Sequence, residues 1–183
     1  MKHLIIDPLI ILLLFSFGVG CEKNEESMET SAFEAKFFTK RNFDAEIGTC
    51  TEDPYLGYNY QVGEGSSTLL GKFTAELFFC GNGSDYKNGE GVFVAENGDE
   101  LYYRVPSSGE IGHVLPLPYA DPLYELYFQD SFTFTGGTGR FKGASGGGKT
   151  DSYVDLLVDG DTTQFIPEHR TDHVWSGTIT LMK

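Results

Sequence analysis

Positive charge is scarce in this sequence: 13 Lys and Arg residues stand against 27 Asp and Glu, a formal net charge of −14. Such a field repels phosphate backbones, and no basic cluster offsets it, so nucleic acid is excluded as a partner. No apolar run reaches the about 20 residues needed to cross a bilayer core of ~30 Å. A sustained helical period is missing after the N-terminal segment, which argues against a helical fold. G-x-S-x-G is absent, and with it the nucleophile elbow of a serine hydrolase. H-E-x-x-H and C-x-x-C are absent too, so no metal site and no cofactor are expected. His169 and His173 have an i, i+4 spacing that converges only on a helix; in a strand-like setting behind Pro167 they read as surface or interface residues.

What is present begins with an address. Residues 1–20 run from a cationic start, Met1-Lys2-His3, through an apolar stretch from Leu9 to Phe17, to Gly18-Val19-Gly20 before Cys21. This is the layout of a secretory signal, and small residues before a cysteine form a bacterial lipobox, which commits Cys21 to a diacylglycerol thioether. The expected partner is therefore a lipid bilayer, and the expected location the bacterial cell envelope, at the outer membrane. Residues 21–35 are acidic and without apolar periodicity, and read as an unstructured lipidated tether. Residues 36–183 then suit one domain.

With Cys21 lipidated, Cys50 and Cys80 remain. An exported compartment is oxidising, so a disulfide between them is the default.

Alternation and turn residues recur from Lys36 onward, which makes the domain all-β. The predicted strands are 37–47, 55–62, 68–80, 91–96, 100–105, 124–135, 150–158 and 174–182. Asn97-Gly98 predicts a type I′ hairpin, and Asp159-Gly160 a second turn of that kind. Eight short strands with one apolar face each favour an up-and-down barrel or a sandwich; closure into a barrel removes exposed edges. The Pro106–Pro122 stretch is the longest irregular connection, either a lid over a barrel mouth or an ordinary long loop.

The run Phe134-Thr135-Gly136-Gly137-Thr138-Gly139-Arg140-Phe141-Lys142-Gly143-Ala144-Ser145-Gly146 resembles the G-G-T-G-R-F-x-G-A-x-G signature of the barrel superfamily that includes plant allene oxide cyclases, dirigent proteins and bacterial members. Residues 63–74, Ala95-Glu96-Asn97-Gly98-Asp99 and the closing Ser176–Leu181 segment fit the same pattern in order, with Leu70 where the bacterial pattern carries a histidine. The resemblance implies an eight-stranded antiparallel barrel, and a trimer as in plant members. Physically, the glycine-rich run serves sharp bends and close backbone approach; Gly148-Lys149-Thr150 lacks the earlier glycine of a phosphate loop.

Candidate site residues follow from period-2 alternation. Leu126, Phe128, Asp130, Phe132 and Phe134 share one face, with Gln129 on the other. A carboxylate on an apolar stripe must be paired or neutralised, which makes Asp130 the candidate catalytic group. Phe37, Thr39, Arg41, Phe43, Ala45 and Ile47 form a second stripe, so Arg41 and Asp130 are placed to pair inside the barrel, with Phe128 and Phe132 lining a pocket. Asp151, Asp155 and Asp159 read as a solvated outer face. Three functions remain open: a barrel that binds a small apolar or amphipathic ligand or a cell-envelope component, an isomerase or cyclase of the allene oxide cyclase type guided by Asp130, and an assembly module without a ligand. A carboxylate-lined cavity favours the second, a filled interior the third.

Overall fold

The computed structural model describes residues 27–43, 49–155 and 170–183. Cys21, the signal segment, Ala45, Ile47, Asp159-Gly160 and His169 lie outside them. The strands are β1 Met28–Arg41, β2 Gly57–Ser67, β3 Gly71–Gly81, β4 Asp85–Ala95, β5 Glu100–Val105, β6 Gly112–His113, β7 Leu115–Pro116, β8 Leu126–Phe128, β9 Ser131–Gly137, β10 Ser145–Val154 and β11 Arg170–Met182.

Antiparallel pairing runs β1-β2-β3-β4-β5-β9-β10-β11, and β11 returns to pair with β1 from Met28↔Met182 to Lys40↔Arg170. The sheet is thus a closed eight-stranded antiparallel barrel, as expected from the alternation and the glycine-rich signature. Alternate residues point inward: Phe33, Ala35, Phe37 and Thr39 of β1, Phe73, Ala75 and Leu77 of β3, and Thr171, His173, Trp175 and Ile179 of β11 are buried, whereas Glu34, Lys36, Thr74 and Glu76 are exposed.

The barrel has two different ends. At one, where β1 enters at Met28 and β11 leaves at Met182, the interior is filled by aromatic rings. Phe33 meets Phe134 edge-on at 4.8 Å, Phe93 lies 5.5 Å from Trp175, and Trp175 stacks on Phe132 at 4.7 Å. Each such ring contributes about 1.5–3 kcal/mol by burial, and favourable ring pairs add ~0.5–1.5 kcal/mol. The glycine-rich run closes this end: a 3₁₀ turn at Gly139–Phe141 inserts the fully buried Phe141. Gly139 has φ +52°, and a Cβ there would stand 1.8 Å from Asp99 Oδ1, so only glycine makes the turn. Along β10 and β11, Gly148 faces Gly177; a Cβ on Gly177 would come within 2.7 Å of Gly148 Cα, which is how the two strands bend closely past each other.

At the other end lie the β3–β4 turn and the long β5–β8 connection. Cys50 is bonded to Cys80 there, with Cα atoms 5.6 Å apart, tying the β1–β2 connection to the end of β3.

Several boundaries differ from the sequence reading. β1 begins at Met28, before the expected domain start at 36, because backbone pairing with β11 holds Met28–Ala32 although all of these residues are exposed. The Asn97-Gly98 hairpin is not type I′: Gly98 N–H bonds Ala95 O at 2.9 Å, and of the two only Gly98 has positive φ, giving a type I turn completed by a left-handed glycine. The Pro106–Pro122 connection is not wholly irregular, since β6 pairs with β4 and β7 with β8.

Candidate functional site

Beyond Trp175 the packing stops. The barrel end opposite Met28 holds a cavity of about 340 Å³, walled by Leu77, Phe79, Val105, Val114, Leu126, Phe128 and Val154, with Asn59, Gln61, Tyr86, Thr171 and His173 as its polar groups and Trp175 on the core side. This size is at the lower end of small-molecule sites, and apolar walls with a few placed polar groups are their usual make-up. A larger open groove of about 680 Å³ crosses the barrel wall near Phe38, Lys72, Tyr124 and Arg170; its cations share it with Glu64 and Asp172, and Arg170 is already paired with Asp172 at 3.0 Å. The interior cavity is the better site because it is enclosed by apolar walls.

His173 is 2% exposed and stacks on Phe37 with ring centroids 4.4 Å apart. Its Nε2 lies 2.9 Å from Thr39 Oγ1, and its Nδ1 lies 2.9 Å from Ser152 Oγ. Counting protons settles the direction of the chain. Thr39 gives its one hydroxyl proton to Gln61 Oε1 at 2.5 Å, so it must accept from His173 Nε2–H. Nδ1 is then unprotonated and accepts from Ser152 O–H. Burial holds the ring neutral, lowering its pKa from 6.5 to about 3. Both nitrogens are committed to hydroxyls, and the surface or interface reading of this histidine is corrected to a buried one. The last strand begins at Arg170 and not at the expected Val174, and Thr171, His173 and Trp175 form an inward stripe with Val174 outside.

Asp130 sits between β8 and β9. Register does not slip there: Phe128 opposes Ser152, and Ser131 opposes Lys149, so Asp130 keeps the face of Phe128 and Phe132. Thr150 N–H bonds Asp130 O at 2.8 Å, while Asp130 N–H turns to Thr150 Oγ1 at 2.8 Å, which explains the break in the ladder. The carboxylate accepts the Tyr86 hydroxyl at 2.5 Å. Burial raises the Asp130 pKa, opposed by the Tyr86 bond and by His113 and Lys149; burial and Asp130 together push the Tyr86 phenol well above its ordinary value.

Arg41 ends β1 and lies at the barrel's rim. Its Nη2 donates to Tyr58 O at 2.8 Å, and its guanidinium lies over Phe43. The expected Arg41–Asp130 pair is therefore corrected to two separate arrangements, because β1 stops at Arg41 instead of continuing the stripe inward. Phe128 lines the cavity, whereas Phe132 belongs to the packed core below Trp175. Asp151 bonds Gln129 on the outside, at 2.9 Å. Leu70 is buried in the core.

No protein-family model, no curated protein and no solved structure matches the chain. The site is therefore read from its own chemistry.

Proposed function

We propose that this chain is an exported lipoprotein, anchored through Cys21, whose barrel takes a small apolar or amphipathic ligand into the cavity between Trp175 and the rim. The observation that carries the reading is the contrast between the two ends: aromatic rings fill one, and a cavity of about 340 Å³ with apolar walls occupies the other. A barrel that served only as an assembly module has no need of such a space, since close packing is what stabilises an interior. The glycine-rich signature supports kinship with the allene oxide cyclase and dirigent barrels. β1 begins, at Met28, at the packed end, the end opposite the cavity.

The cyclase reading draws less support. Among the described residues that line the cavity there is no Asp or Glu, and the carboxylate of Asp130 is already engaged by Tyr86.

N-phenyl-1-naphthylamine, an uncharged dye that brightens in apolar surroundings, tests the reading. Wild-type protein is expected to bind it saturably with one site, and Val154→Phe, which fills the cavity from β10, to weaken binding at least ten-fold. Equal dye binding by both proteins, or none by the wild type, overturns the proposal.

A further inference from the structure

The cavity's polar groups define which head group it takes. Among the described residues that line the cavity, none is Lys, Arg, Asp or Glu. Two titratable rings line it: His173 has both nitrogens committed to hydroxyls and stays neutral, and the Tyr86 phenol, pushed well above its ordinary pKa, donates to Asp130. An ionised ligand entering this space would lose its hydration without gaining a counter-charge, which apolar surroundings penalise heavily. An anion also approaches against a net charge of −14.

Two buried polar atoms on lining residues lack a hydrogen-bond partner: Asn59 Oδ1, an acceptor, and Trp175 Nε1–H, a donor. Buried polar groups are otherwise almost always satisfied, and a lone one points to a missing partner. Asn59 lies on β2 opposite Phe79 of β3, two residues nearer the strand's start than Gln61. Trp175 lies deeper, against the aromatic core. Asn59 Oδ1 calls for a donor. A carboxylate offers only acceptors, and oxygen facing oxygen is repulsive; a hydroxyl offers a proton and keeps a lone pair.

We infer that the ligand is an uncharged amphiphile carrying a hydroxyl, of the aliphatic alcohol class, whose O–H is received by Asn59 Oδ1 while its apolar body fills the space toward Trp175. The inference rests on the cavity being the ligand site. Its size, about 340 Å³, is room for about ten water-sized groups, which suits a medium-length chain.

Trp175 is the only tryptophan and lines the cavity, so its emission reports occupancy by ligands that do not themselves absorb. Titrations at pH 7 with 1-octanol, octyl methyl ether and octanoate separate the parts of the argument. Octanol is expected to shift the emission saturably and to bind about five-fold tighter than the ether, the worth of one hydrogen bond. Octanoate is expected to bind at least ten-fold more weakly than octanol. In Asn59→Leu, or in Asn59→Ala should the first not fold, octanol and its ether should bind alike.

Octanoate binding as tightly as octanol overturns the neutral-ligand inference and leaves the cavity reading standing. Equal binding of octanol and ether by wild type, or an unchanged octanol advantage in the Asn59 variant, overturns the role of Asn59. Absence of any response to all three probes, together with absence of dye binding, overturns the cavity reading itself.

Discussion

His173 gives the chain a pH dependence that can be worked through. In the unfolded chain it titrates near 6.5; in the barrel its pKa is held down to about 3. Between those values the unfolded state binds a proton that the folded state refuses, so stability rises with pH across this window. The contribution is complete above pH 6.5, declines as pH falls, and is gone below about 3. Its full size is the pKa difference at 1.36 kcal/mol per unit, roughly 4–5 kcal/mol. Between pH 7 and pH 4.5 the expected loss is about 2.5 kcal/mol. Other groups titrate in the same range: Asp130, whose pKa is raised, acts in the opposite sense, favouring the fold as pH falls. The quantity to measure is therefore the difference between wild type and His173→Gln, from urea melts at several pH values. The variant starts less stable because Phe37 loses its stacking partner and the hydrogen-bonded chain is altered, but the gap should narrow by about 2.5 kcal/mol between pH 7 and 4.5. Parallel stability curves would show that the buried ring takes up its proton as easily as an exposed one, and would refute the assignment of the neutral Nε2–H tautomer locked between Thr39 and Ser152.

Other outcomes follow from particular contacts. Asp130→Ala should cost about 1–3 kcal/mol by stranding the buried Tyr86 hydroxyl, and Asp130→Asn less, while the exposed Gln129→Ala should stay within about 0.5 kcal/mol; equal small effects in denaturant melts would show that Asp130 faces outward. Reduction of the Cys50–Cys80 bond, which spans 30 residues, should lower stability by about 3–4 kcal/mol in the chain-entropy model, and unchanged melts with and without reductant would argue against it. Cys21→Ser should move the protein from the membrane fraction to the soluble exported fraction on cell fractionation, and persistent membrane retention after washing would reject the anchor.

How much of this was legible beforehand differs from strand to strand. β9 and β10 were read with their correct faces because Phe132 and Phe134, or Thr150 and Ser152, alternate cleanly with exposed or half-exposed residues; period 2 is a local property, and the pleat enforces it. The bends of the glycine-rich run were legible for a similar reason, since positive φ and contact with a neighbouring backbone demand glycine wherever the chain runs. Barrel closure was reachable from alternation and the absence of helical periods, the physical drive being the removal of strand edges. Strand ends were not legible. Met28–Ala32 carries no apolar stripe, yet it is strand because β11 lies beside it, and only pairing supplies that reason. The same blindness hid His173, whose inward direction depends on where β11 begins. Asp130 shows the division most closely: its face followed from spacing, but its partner is Tyr86, 44 residues away, and not Arg41. Alternation along one strand decides which way a side chain points. Which side chains then meet, and where a cavity is left between them, depends on stagger between strands far apart in the chain, and that only the closed barrel decides.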